Sequence, residues 1–389
     1  MTCGISVSVA SFVALLGFAT LISLAAERAR VPAAVLLVGV GAVAGSLFHV
    51  KPPFQFGPAV LFVFLPPLVF EAAWHVDVAV LRRQWLRLVA MAGPGTILSA
   101  LAVGSAVTLA GALPFGAAFL LGAIVSATDP VAVVAVFRHA AVPRAVKTLV
   151  EAESLSNDGI AIVLYGAAMT ALGGGTIAWF PTVGHAAFSV GAGIAIGAAC
   201  ALPFWFVLGA TRAPEFEVTV TVALAYIAYL AADRCGCSGI FATAAGAVTL
   251  RALLRDSRRV REGDAVDAFW IAVASIANAT VFLATGLVID IPRAFHEPLL
   301  VAAVLVASIF ARVSIALVGA RDRNARITIF LAGMRGALPL ALALGLPQTL
   351  PGRAAIIDGV FATVLVTLVV QGAMLEPIVT RLYGRTAAV

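Results

Sequence analysis

Apolar residues run along this chain in long stretches separated by short polar connections. A helix that crosses a bilayer needs about 20 mostly apolar residues. Thirteen segments meet that requirement: 5–26, 32–50, 56–76, 86–110, 115–137, 149–172, 184–210, 216–233, 238–254, 267–289, 298–319, 326–346 and 356–379. No connection between them reads as a separate soluble domain, and the stretch after 380 is too short to suggest a regulatory domain there. The first segment has no Lys or Arg before it and is longer than the apolar part of a usual signal peptide, so it reads as a retained helix. The pattern predicts an all-α polytopic membrane protein of about 13 transmembrane helices, organised as one membrane domain over 1–389.

The basic residues test this topology. With the N-terminus outside and the C-terminus cytoplasmic, nineteen of the 25 Lys and Arg residues fall in inside connections, among them Arg82, Arg83, Arg87, Arg251 and Arg255. Four, Lys51, Arg234, Arg293 and Arg353, fall outside, and Arg312 and Arg335 lie within spans. Loops on the cytoplasmic face carry such an excess, and a miscounted span would have scrambled it. Thirteen spans also suit an inverted repeat in which the first six match the last six, the seventh serving as link. Segment 115–137 then pairs with 326–346. Both carry helix breakers: Thr128-Asp129-Pro130 in one, Gly333-Met334-Arg335-Gly336 with Pro339 in the other. Interrupted helices at matching positions are the best sequence pointer to a transporter binding site.

Composition sharpens the picture. The chain is 62% hydrophobic and 11% charged, against about 25% charged in soluble domains. A soluble fold would have little with which to cover its surface, whereas a lipid-facing one needs no such cover. The net charge of +6 lies in short clusters between apolar runs without an aromatic–basic patch, which argues for the membrane surface and against nucleic acid. Cys3, Cys200, Cys235 and Cys237 make no disulfide framework, and no His or carboxylate cluster completes a metal site around them. His49, His75, His139, His185 and His296 show no ligand spacing and no nucleophile–base pairing, so an intramembrane enzyme finds no support. A phosphate-cradling Gly-Lys loop is also missing, which argues against an ATP-driven pump.

The chemistry is carried by ionisable residues that the apolar segments place away from water: Glu71, Asp129, Glu153 and Asp158. Such groups are costly in a bilayer, by at least about 2.5–3.5 kcal/mol each, and are functional candidates by default. In Glu153-Ser154-Leu155-Ser156-Asn157-Asp158-Gly159, helical spacing sets Ser154 one turn from Asp158 and Glu153 one turn from Asn157. The result is a column of hard oxygen ligands suited to alkali cations. Near Asp129, Pro130 breaks the helical ladder and frees carbonyls at Ser126 and Ala127, which can hold a cation or accept from a side chain. A plain proline kink with Asp129 as its cap is compatible with the same residues. Arg335 stays charged and needs a partner, and Glu71 is the candidate. Arg312 has no evident partner.

With these residues in place, the sequence resembles the sodium/proton antiporters of the NhaP/NHE type. The matching stretches are Phe64-Leu65-Pro66-Pro67 with Glu71, Thr128-Asp129-Pro130, Glu153-Ser154 through Asn157-Asp158-Gly159, and Gly333-Met334-Arg335-Gly336. Each is weak singly; the ordered set is specific and spans the membrane domain. The resemblance implies an NhaA/NhaP-like fold with two broken crossing helices. It also implies a homodimer with an interface part over about 1–80 and 216–289, a moving core over about 86–172 and 298–383, and a linker helix over about 184–210. It makes Asp158 the cation- and proton-binding carboxylate, with Glu153, Ser154 and Thr128 as further ligands of Na+. Asp129 and Asn157 would stabilise the site, and Glu71 with Arg335 would tie helices. No cofactor is implied, since Na+ and H+ are substrates, and the long regulatory tail of animal members is not expected.

The expected mechanism is competition. Burial disfavours a charged carboxylate, so Asp158 is neutralised by a proton or by a cation but not by both. Asn157 does not titrate, which predicts electroneutral one-for-one exchange; the resemblance implies alternating access in a plasma membrane, serving pH homeostasis. Exchange of Na+ or Li+ is the first reading. A K+-preferring or mixed cation/proton antiporter remains an alternative, and a passive channel a remoter one.

Overall fold

The computed structural model describes residues 2–29, 33–50, 52, 58–129, 133, 136–137, 140–174, 179–210, 214–257 and 264–384. It is an all-helical fold, with no strand among the described residues. In chain order the helices are α1 (Thr2–Ala29), α2 (Ala33–Phe48), α3 (Pro58–Trp74), α4 (Val78–Leu109), α5 (Phe115–Ser126), α6 (Arg144–Leu172) and α7 (Trp179–Ala210). Next come α8 (Pro214–Arg234), α9 (Gly239–Ser257), α10 (Asp264–Val288), the single turn α11 (Ile291–Ala294) and α12 (Pro298–Gly319). The chain ends in α13 (Arg323–Leu331), α14 (Ala337–Leu344), α15 (Arg353–Val366), a π-turn at Thr367–Gln371, and α16 (Gly372–Tyr383).

Helix occupies each of the predicted segments, with two of them interrupted. Eight helices among the described residues are long and apolar enough to cross a membrane, and shorter apolar helices lie at Ala33–Phe48, Phe62–Trp74 and Phe115–Ser126. Several of these helices are apolar yet largely unburied. Only 17% of the apolar window of Ala187–Leu208 is inside the protein, and Phe206 and Phe310 are 75% and 61% exposed. Helices of that kind face lipid, because in water so much apolar surface would drive aggregation. Prolines inside α3 (Pro66, Pro67) and α4 (Pro94) leave those helices continuous, as membrane helices tolerate. Helix starts are marked by local chemistry: Asp322 accepts from the Ala325 amide (3.0 Å), and Asp77 from the Ala79 amide (3.0 Å).

The chain divides into two compact units. The first comprises Met1–Val60, Gln84–Thr176 and Asn278–Val389. Within it, Gly41 and Gly45 of α2 let their helix approach the backbone of Leu283, Gly286 and Leu287 so closely that a Cβ at either glycine would collide. The second comprises Leu61–Arg83 and Ile177–Ala277. There Trp270 is fully buried, stacks on Phe70 with 4.5 Å between ring centroids, and donates to the Thr221 hydroxyl at 3.0 Å.

In segment 115–137 the α5 helix ends at Ser126, and Val133, Val136 and Phe137 are helical again. Ala127 turns to an extended conformation (φ −62°, ψ 138°), and Thr128 and Asp129 continue without helix. Pro130, the predicted breaker, and most positions from 131 to 139 lie outside the described residues. So do Arg138 and several other basic residues of the topology argument: Arg30, Lys51, Arg212, Arg258, Arg259, Arg261 and Arg385. Segment 326–346 is broken in the middle. The α13 helix stops at Leu331, Gly333–Gly336 is not helical, and α14 restarts at Ala337 from an extended Gly336. The two breaks meet in the first unit, where the Asp129 amide donates to the Met334 carbonyl at 2.9 Å.

Candidate functional site

Each break exposes a helix pole. The C-terminal end of α5 presents carbonyls without helical partners, a partial negative charge. Arg335, in the opposite break and 3% exposed, reaches across and donates from Nη1 to Ser126 O (2.8 Å) and Ala127 O (3.3 Å). At the other pole, the Asp129 side chain lies against Gly336, the residue that caps the N-terminal end of α14. A carboxylate there is favoured by the partial positive charge of that end. The two breaks thus compensate each other with side chains of opposite sign. Gly336 is required by close approach: a Cβ on it would overlap Asp129 Cβ and Oδ2.

The α6 helix brings the remaining groups to this crossing. Asn157 accepts from the Thr128 amide (3.3 Å), and its Nδ2 donates to Thr128 Oγ1 (2.7 Å) and to Glu153 Oε1 (3.2 Å) one turn earlier. Ser154 Oγ lies 3.0 Å from Thr128 Oγ1. Asn157 therefore clamps the extended segment of the first break onto α6, and it does so without a charge. Thr128, Glu153, Ser154 and Asn157 are all buried.

Asp158 is half-buried, with its Oδ1 buried and without a hydrogen-bond partner. It sits within electrostatic reach of Asp129, Glu153 and Arg335, with the Thr128 backbone amide turned toward it. Glu153 shows the same division between its two oxygens. Oε1 accepts from Arg312 Nη1 at 2.8 Å and from Asn157, while Oε2 is buried without a partner. Two carboxylate oxygens with free lone pairs, a pair of hydroxyls and nearby backbone make a donor set for a hard monovalent cation. No group of three or more His, Cys, Asp or Glu arranged for a metal ion occurs among the described residues.

Arg312 is the residue the sequence left unassigned. It is 2% exposed, its Nε donates to Ile329 O in α13 (3.0 Å), and its stem lies over Gly333. It joins α12, α6 and the second break. Glu71 and Arg335, expected to tie helices as an ion pair, have other described partners. Arg335 is engaged by the α5 carbonyls, and Glu71, in the second unit, has an oxygen 3.5 Å from His75. The physical reason is that a helix pole with orphan carbonyls is itself an anion-like acceptor for a guanidinium. The buried ion pair of the centre is Arg312–Glu153.

Counted formally, the centre holds three carboxylates, Asp129, Glu153 and Asp158, and two guanidinium groups, Arg312 and Arg335. One negative charge is in excess. Glu151, also buried on α6, has its own partner in Lys147 at 3.9 Å.

A family model described as "Sodium/hydrogen exchanger, transmembrane" matches residues 12–381. The Na(+)/H(+) antiporter ApNhaP of Aphanothece halophytica is 32% identical over 389 residues, covering 94% of this chain and 73% of that protein. The low-affinity Na(+)/H(+) antiporter NhaS1 of Synechocystis sp. is 31% identical over 378 residues, covering 92% and 71%. The solved structure of the sodium proton antiporter MjNhaP1 from Methanocaldococcus jannaschii at pH 8 shares the fold, with a TM-score of 0.81 over 97% of this chain and 99% of that one, at 19% identity. The apolar helices, the crossed breaks and the family match agree: this chain belongs to the sodium/hydrogen exchanger family, membrane transporters that are not enzymes and need no cofactor.

Proposed function

We propose that the chain exchanges Na+ or Li+ for H+ by competition at Asp158, one for one and without net movement of charge. The observation that carries this reading is the buried, unpartnered Oδ1 of Asp158 within electrostatic reach of Glu153, whose Oε2 is equally unpartnered, in a centre with one excess negative charge. One proton or one monovalent cation brings that charge to zero. The neutral, loaded centre can cross the low-dielectric interior, and the charged, empty one meets a desolvation penalty. Glu153, Ser154 and Thr128 are proposed to complete the ligand set, Asn157 and Asp129 to hold it in shape.

In the same reading the moving part comprises about 86–172 and 298–383, which include every group of the centre, while about 1–80 and 216–289 form the interface of a homodimer and about 184–210 the link. The N-terminus faces out and the C-terminus the cytoplasm of a plasma membrane, a placement supported by the distribution of Lys and Arg.

The test is dissipation of a proton gradient by Na+, Li+ and K+ in proteoliposomes across pH. Protons and cations share one group, so the apparent cation affinity falls as pH falls, by about tenfold per pH unit once protons dominate. Asp158→Asn abolishes exchange while the protein elutes and melts as the wild type does. An affinity independent of pH, or exchange surviving in the variant, overturns the reading. Competition among the three ions decides selectivity.

A further inference from the structure

In the second unit, a pocket of about 650 Å³ opens between the α3–α4 connection and the last turns of α9. Val76, Val78, Ala79, Val248 and Ala252 form its apolar wall, and Arg82, Arg83, Arg251 and Arg255 supply the charge. The single carboxylate in the lining, Asp77, is spent on the start of α4, where it accepts from the Ala79 and Val80 amides (3.0 and 3.3 Å). Arg251 is equally committed: it donates to Trp74 O, lies 5.2 Å above the Trp74 ring and pairs with Asp267 at 3.5 Å. The other three arginines, all exposed, have no hydrogen bond or ion pair to any described residue.

Three guanidinium groups around an apolar-walled cavity, with no uncommitted carboxylate among the described lining residues, repel one another and favour an anion. A guanidinium matches a phosphate by paired N–H donors, and basic pockets between membrane helices at the bilayer surface receive phosphate headgroups. The apolar wall adds a place for the glycerol and first methylenes of an acyl chain. We infer that this pocket binds a phosphate-bearing anion at the membrane surface, separate from the cation-exchange centre. The chemistry is shared by an anionic phospholipid headgroup and by free phosphate, and the experiment separates the two.

Purified full-length protein in neutral detergent is titrated with dioleoyl phosphatidylglycerol, with dioleoyl phosphatidylcholine, and with inorganic phosphate, and adducts are counted by native mass spectrometry alongside thermal melting. The comparison is between wild type and Arg82→Gln/Arg83→Gln/Arg255→Gln, with Arg293→Gln as a control for loss of an arginine at an exposed site. Arg251 is left intact because it holds the fold. Phosphatidylglycerol binds and raises the melting temperature of the wild type and of the control, phosphatidylcholine does neither, and the triple variant binds about a hundredfold more weakly. Protection by inorganic phosphate alone assigns the site to a free anion. Equal binding of phosphatidylglycerol and phosphate by wild type and triple variant, or no binding to either, overturns the proposal. Should the triple variant fold poorly, Arg82→Gln/Arg255→Gln is measured in the same way, and unchanged binding there also overturns it.

Discussion

Arg312 and Glu153 are each almost wholly enclosed, 3% and 1% of their side chains being exposed, and lie 2.8 Å apart. Removing one partner from such a pair strands a charge away from water, which costs about 3–5 kcal/mol, whereas neutralising both leaves no orphan charge. Arg312→Ala is therefore expected to lower the melting temperature of the detergent-solubilised protein sharply, and Glu153→Gln/Arg312→Gln to lower it less than Arg312→Ala does. A double variant as damaged as the single one would show that the stranded Glu153 charge is not the source of the loss. The sequence exposed Arg312 as a lone cation in an apolar span but not its partner, which lies 159 positions away on α6. Periodicity relates neighbours three and four apart, and accordingly it anticipated the Asn157–Glu153 contact, a single turn long. It also foresaw free carbonyls at Ser126 and Ala127 and an arginine in need of an acceptor at 335, without joining them, because a helix pole does not look like an anion in a string of letters.

At the level of elements, both interruptions were legible. Gly, Pro and charged residues in the middle of apolar runs have few uses other than to stop a helix. What the pattern could not supply was the mutual fit of the breaks, which depends on backbone approach. The Asp129 amide is bonded to the Met334 carbonyl, and Gly336 leaves no room for a side chain beside Asp129. Gly336→Ala is expected to reduce exchange in proteoliposomes by tenfold or more, on the order of the 1–3 kcal/mol typical of overpacking, with helical content by circular dichroism unchanged. Gly93→Ala in α4, where an added methyl meets nothing within 4 Å, is the control and leaves exchange intact. Wild-type exchange in Gly336→Ala would mean that the tight crossing is dispensable.

For the whole molecule, the proposed one-for-one exchange has an electrical signature. Moving one elementary charge across 100 mV is worth about 2.3 kcal/mol, so a cycle that moved net charge would respond strongly to voltage. With a centre that is neutral when loaded and an uncharged Asn157 beside Asp158, the exchange rate in proteoliposomes is expected to stay the same when a potassium diffusion potential of either sign is imposed. A rate that rises or falls severalfold with the sign of the potential would rule out this stoichiometry. The membrane character, the helical segments and their order were readable at this scale because lipid imposes one strong length and polarity rule on every span. The pocket of arginines in the second unit was not, since its walls come from connections that the sequence separates by well over a hundred residues.

The reciprocal capping of the two breaks carries a consequence for descent. Residues 126–129 and 333–336 are remote in the gene but form one working part, each end answering the other's charge. Neither stretch can drift alone. A lineage that replaced the arginine would orphan the carbonyls of the distant partner, and one that enlarged the glycine would displace its carboxylate. The two short words must therefore be inherited, and revised, together.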